Sequence, residues 1–147
     1  MPRPFRFSLE RVLDLRRQQE EQAHIQLAQA ERQLQQQRAE ADRLESELSR
    51  AGGELTGRRE LSPDELWLWR SYQERILLEI HRAEQAWQEL ASKVNECRKQ
   101  ALERSKERRK LEKLKENQAQ EHKLREEYQE QQVLDEMATL RHTKRFF

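Results

Sequence analysis

The chain has 147 residues, 39% of them charged and 34% apolar, with a net charge of +1. Only three Gly and three Pro, against an abundance of Ala, Glu, Lys, Leu, Arg and Gln, exclude a many-layered globular core and match a coiled coil or long helix. The near-zero net charge excludes a global field toward nucleic acid or an anionic membrane, and any electrostatic partner must meet a local patch.

No apolar run approaches the roughly 18 residues of a membrane span. The opening MPRPFRFSLE lacks the apolar stretch of a secretory signal. A single cysteine, Cys97, leaves no internal disulfide and points to a reducing compartment. The expectation is a soluble, cytoplasmic chain.

The helix breakers divide it. Pro2 and Pro4 stand at the start, and Gly52, Gly53 and Gly57 fall together shortly before Pro63. The first predicted helix covers residues 8–55, with Phe7 and Val12 flanking Ser8 as a hydrophobic staple. Its apolar register runs at alternating spacings of three and four through Leu9, Leu13, Ala23, Leu27, Ala30, Leu34, Ala41, Leu44, Leu48, Ala51 and Leu55. Arg16, Glu20 and Gln37 interrupt it.

A Gly-rich turn is expected over residues 52–62. The second helix is predicted over residues 63–141. Ser62-Pro63-Asp64-Glu65 supplies an N-cap, a first-turn proline and the glutamate of a capping box, with Leu61 and Leu66 as staple. Its register runs through Leu66, Trp69, Gln73, Ile76, Ile80, Ala83, Trp87, Leu90, Val94, Cys97 and Ala101. Beyond Ala101 it decays to Arg104, Arg108, Leu111 and Lys115. Both registers are heptad seams, with small residues alternating with large ones. Trp69, Trp87 and Cys97 are read as packing residues.

The Gly-rich turn lets the chain return on itself. The predicted fold is all-α: a single domain spanning residues 1–147, built as a monomeric antiparallel two-helix coiled-coil hairpin. The arms would span roughly 70 Å and roughly 115–120 Å at 1.5 Å per residue. Pairing residue 55 with residue 64 brings Leu9 opposite about Lys110. Some thirty residues of the second helix are then left to overhang.

At that open end lies RRKLEKLKE, residues 108–116, in a basic stretch from Arg98 to Lys115. Arg3, Arg6, Arg11, Arg16 and Arg17 lie on the facing arm. Residues 119–136 then turn acidic, and Arg141, Lys144 and Arg145 close the chain. Such a patch fits a solvated helix surface, a protein partner, or phosphates. Against nucleic acid, it has no interleaved aromatic for base stacking.

Trp67 and Leu78 share a helical face away from the seam and are candidate partner contacts. Leu134, Met137 and Leu140, with Arg141, Lys144 and Arg145, form a second candidate without an intramolecular partner. His24, His81, His122 and His142 are scattered, and no His, Cys and Asp spacing suits a metal. No Gly-rich phosphate loop occurs. Neither an enzyme nor a cofactor is expected.

The opening FRFSLERVLDLRRQQEEQA, the later ERRKLEKLKE and the closing LDEMATLRHTKRFF together resemble the flagellar FliJ family. The shared features are Phe7 and Leu9 of a Phe-x-Leu opening, Leu111 to Lys115 of a Leu-Glu-x-Leu-Lys core, and Asp135, Glu136, Ala138 and Arg141 of an Asp-Glu-x-Ala-x-x-Arg close. The resemblance implies a non-enzymatic stalk of the flagellar type III export apparatus, cytoplasmic and peripheral to the inner face of the cell membrane. The stalk's open end enters and stimulates a hexameric export ATPase, it couples that ring to the membrane export gate, and it escorts export chaperones. The implied ATPase contacts are Phe7, Arg11, Arg108, Leu111, Leu114, Leu134, Met137, Leu140, Arg141, Lys144 and Arg145. Trp67 and Leu78 are candidates for the gate or a chaperone. The alternative is a nucleic-acid-binding or scaffolding coiled coil acting through the same basic end.

Overall fold

The computed structural model describes residues 3–58 and 60–146. Pro2, one of the expected breakers, lies outside the described residues. Two helices account for nearly all of the chain: α1, Glu10–Thr56, and α2, Pro63–Phe146. There is no strand among the described residues.

The start of α2 follows its sequence signal. Pro63 is the first helical residue. The Ser62 hydroxyl accepts the Glu65 amide at 3.2 Å and the Ser62 carbonyl accepts the Leu66 amide at 3.0 Å. The cap therefore satisfies backbone donors that the first turn leaves without helical partners.

The start of α1 differs from expectation. The first helical bond runs from the Leu13 amide to the Leu9 carbonyl, so capping falls at Leu9, not at Ser8. The Glu10 amide turns back to the Phe7 carbonyl at 3.2 Å. Phe7 is buried while Val12 is exposed, so the two do not form the expected staple.

The turn also differs. Gly52 and Gly53 lie inside α1, which continues to Thr56, and no described glycine has positive φ. Thr56 Oγ1 donates to the Gly53 carbonyl at 2.9 Å, and the Arg58 amide to the Leu55 carbonyl at 3.1 Å. Only residues 57–62 connect the helices. Neither helical glycine is needed for its backbone. A methyl at Gly52 would rest 3.6 Å from the Trp69 ring, and one at Gly53 would meet open space. Gly53→Ala, and Gly52→Ala beside it, are each expected to stabilise the fold by about 0.5–1 kcal/mol, because alanine loses less backbone entropy in a helix. Urea unfolding followed by circular dichroism checks this; a loss of stability would contradict it.

The chain forms two compact units. One is Glu21–Leu102; the other brings Met1–Glu20 together with Glu103–Phe147. In the first, Ala41, Leu44, Ile76, Ile80 and Ala83 form a buried cluster, flanked by Leu48 and Tyr72. Small residues meet large ones, as the alternation requires. The Arg38 guanidinium lies 5.9 Å from the centre of the Trp87 ring, and Arg98 reaches Glu31 at 3.5 Å. These contacts fix an antiparallel pairing. The Trp87 indole N–H is buried without an acceptor among the described residues; nothing in the packing explains it.

In the second unit, Arg16 meets Glu107 at 3.1 Å and Glu10 meets Lys115 at 2.8 Å, again antiparallel. Leu13 is fully buried at 0% exposure.

Nearly every seam residue read from the register is buried or half-buried, except Leu9 and Leu66, which are exposed. Each stands at the first turn of its helix. Phe7 is buried near Leu9 instead.

Candidate functional site

The basic end is built by a chain of ions along the seam. Where the apolar register fails, Glu20 of α1 and Arg108 of α2 take its place. Arg108 Nε donates to Glu20, and its Nη1 donates to Glu112 at 2.7 Å. Ser105 donates to Glu20 at 2.9 Å. Arg16 and Arg104 both reach Glu107, and Arg17 reaches Asp14 and Glu112 at 3.5 Å each. The hydrogen bond to Glu20 raises the Arg108 guanidinium above its ordinary pKa. A charged pair specifies register better than it stabilises, because both partners give up hydration.

This pairing changes the meaning of RRKLEKLKE. Arg108 and Lys115 are fasteners between helices. Leu111 is half-buried on the same face. Only Arg109, Lys110 and Lys113 stand exposed without a carboxylate partner among the described residues. Arg11 is exposed as well, and Leu114 is exposed at the edge of the face.

Residues ahead of α1 extend the contact. Arg3, Pro4, Phe5 and Arg6 run against Gln118, Glu121, His122 and Arg125. His122 Nε2 donates to the Arg3 carbonyl at 2.8 Å, the Phe5 and His122 rings lie 5.7 Å apart, and Glu126 stands 3.8 Å from the same nitrogen. The facing arm thus reaches further along α2 than loop pairing predicts. Glu10 meets Lys115, whereas the turn would have set Leu9 near Lys110. The overhang is correspondingly shorter than thirty residues: partial burial ends at Glu126, and residues 127–145 are exposed throughout.

The seam register nevertheless continues into that overhang. From Leu111, Lys115, Gln118, His122 and Glu126 it passes to Val133, Met137 and Leu140. Leu134 lies beside them. These four apolar side chains are all about half exposed or more, and Arg141, Lys144 and Arg145 follow them on exposed turns. Leu134, Met137, Leu140, Arg141, Lys144 and Arg145 therefore lie along one exposed side of α2. Phe7, assigned to the same surface from sequence, is buried in the packing and faces no partner.

Near the turn, Trp67 is 67% exposed and Leu78 50% exposed. Eleven residues apart, they share a face opposite Ile76 and Ile80. Leu68 and Leu77 are also exposed but lie on opposite flanks of the helix, off both the seam and the Trp67 face, so sequence reading did not single them out.

A further ionic cluster lies on α1 around Arg43. Arg43 hydrogen-bonds Glu40 at 2.6 Å and Glu47 at 2.8 Å, and it holds Glu40 below the ordinary carboxylate range. Its stabilisation is present above that range and lost as pH falls through the lowered value. On an open surface the effect is small.

Among the described residues no group of His, Cys, Asp or Glu could hold a metal. No described helix is long and apolar enough to cross a membrane.

The profile of one family, Flagellar FliJ protein, matches residues 5–145. The chain belongs to the flagellar FliJ family. The match runs from the strap ahead of α1 through both helices into the terminal stripe. Membership of the FliJ family makes the chain a component of the flagellar export apparatus. No curated protein and no solved structure matches it.

Proposed function

We propose that this FliJ-family chain is the stalk of the flagellar export ATPase. In this reading it acts at the cytoplasmic face of the membrane, with the terminal stripe of α2 entering the hexameric ring. The observation that carries the reading is the exposed apolar register of Val133, Met137 and Leu140, ending in Arg141, Lys144 and Arg145, on a helix that has outrun its partner. An apolar stripe with a basic end can enter a collar, bury its side chains and leave the charges to the rim. Exposed Arg11 and Leu114 lie nearer the helix pair, at the base of this tip.

The test is direct. The purified chain is mixed with the export ATPase of the same organism, and turnover and hexamer formation are followed. Stimulation that saturates near one chain per ring supports the stalk. Unchanged turnover with no complex on a sizing column overturns it.

The Trp67 and Leu78 surface is assigned to the export gate or to an export chaperone. Its exposed aromatic and aliphatic area is of the kind that anchors a protein partner. Trp67→Ala with Leu78→Ala is expected to weaken gate or chaperone binding about tenfold or more, with helicity unchanged because neither side chain is on the seam. Unaltered affinity by isothermal titration would contradict the assignment.

A further inference from the structure

The terminal stripe has a second property: its charges are arranged to complement a copy of itself. On one edge of α2, Glu127 and Glu130 precede Leu134, and Arg141 and Arg145 follow it, with successive spacings of three, four, seven and four. These spacings keep all five positions along one side of the apolar register. All five residues are exposed, and the four charged ones have no ion-pair partner among the described residues.

We propose that, in the absence of another partner, two copies of this chain pair antiparallel through residues 127–145. A two-fold axis near Leu134 and Met137 brings Glu130 of one copy level with Arg141 of the other, and Glu127 level with Arg145. The symmetry forms each pair twice. Leu134 and Met137 then cover one another across the axis. In a parallel arrangement the two charged edges fall on opposite sides of the apolar seam and these pairs do not form, so the charge order favours the antiparallel one.

The seam supplies the third support. The register that α1 and the residues ahead of it cover as far as Glu126 continues, apolar and exposed, at Val133, Met137 and Leu140. A helix of the same composition, entering from the opposite direction, continues the packing α1 began. With so few apolar side chains per copy, the association is weak and reversible. It occupies the stripe assigned above to the ATPase, so the self-paired chain is a form withheld from the ring. The inference uses the same surface as the stalk reading but does not depend on it.

The test uses the full chain alone. With the single cysteine removed by Cys97→Ser, two proteins are made, one carrying Glu130→Cys and one carrying Arg141→Cys. Each is oxidised separately, and then the two are oxidised as a mixture. Glu130 and Arg141 are exposed, and circular dichroism confirms that helicity is kept. Antiparallel pairing gives covalent dimer in the mixture and little in either protein alone.

Equal cross-linking of each protein with itself overturns the antiparallel register, and no cross-linking in any sample overturns the pairing. Sedimentation equilibrium gives the charge test. Arg141→Glu with Arg145→Glu should weaken self-association at least about tenfold, and adding an equal amount of Glu127→Lys with Glu130→Lys should restore dimers between the two variants. A wild-type chain that remains monomeric at every concentration refutes the inference and leaves the stalk reading standing. A dimer that forms while the ATPase is neither bound nor stimulated has the reverse meaning.

Discussion

Leu13→Ala is expected to cost about 3 kcal/mol, within the range for a leucine removed from a fully packed site. Among the described residues, Leu13 and Val94 are the large side chains with essentially no exposure. It lies between Glu10 and Arg16, whose partners Lys115 and Glu107 fix the facing turns of α2. A two-helix seam has no second layer that could collapse into the space left by the lost methyl groups, and flanking ion pairs cannot fill it. A domain of this kind is held by a small net balance, so such a loss is a large share of the total.

The damage should be local. Hydrogen exchange should accelerate over the first turns of α1 and the facing turns near residues 107–115, with much smaller changes over Glu21–Leu102, which is a separate compact unit. Leu15→Ala, at an exposed position only two residues away, should change stability by less than about 0.5 kcal/mol. Equal costs for the two substitutions would show that the seam at Leu13 is not the fastening it is taken to be.

The contrast between these two leucines was legible in the sequence. Register alone placed Leu13 inside and left Leu15 off the seam, because spacings of three and four define one side of a helix whatever it packs against. The same rule located Ile76, Ile80, Ala83, Val94 and Ala101. Ser62 and Pro63 likewise announced the start of α2, because a cap acts through its own neighbours.

What composition could not give was where helices stop and how far they slide. Gly52 and Gly53 read as a turn because glycine weakens a helix by only about 1 kcal/mol, a cost that packing against Trp69 and the surrounding turns readily offsets. The shift that sets Glu10 opposite Lys115 depends on ion pairs ninety residues or more apart in sequence, such as Arg16 with Glu107. No local pattern announces such pairs. Phe7 read as a staple partner of Val12 and, through the family resemblance, as a candidate ATPase contact. Its burial depends on the strap of residues ahead of α1, whose contacts with Gln118, Glu121 and His122 are invisible until the two arms are aligned. The terminal stripe was legible as a face of α2 through Leu134, Met137 and Arg141, but Val133 was not singled out with them. What the stripe's neighbours are for was not legible.

Met137→Asp combined with Leu140→Asp is expected to lower stimulation of the export ATPase at least about tenfold, since desolvating two carboxylates inside a collar costs several kcal/mol. Both side chains are more than half exposed and have no partner in the fold, so the helix content and unfolding midpoint of the chain alone should hardly change. A fall in stability would instead place these residues in intramolecular packing.

The same substitutions also break the proposed pairing between copies, so a second variant separates the two consequences. Glu127→Lys with Glu130→Lys removes the complementary charges but leaves the apolar stripe and its basic end intact. If the copies compete with the ring for one surface, this variant is monomeric and stimulates the ATPase at lower concentration than the wild type does, because none of it is withheld. Stimulation lost in both variants would mean that the acidic edge itself contacts the ring. Stimulation retained in both would remove the stripe from the ATPase contact and leave self-pairing as its one assigned role. Only loss in the aspartate variant together with gain in the lysine variant fits a single stripe that two occupants share in turn.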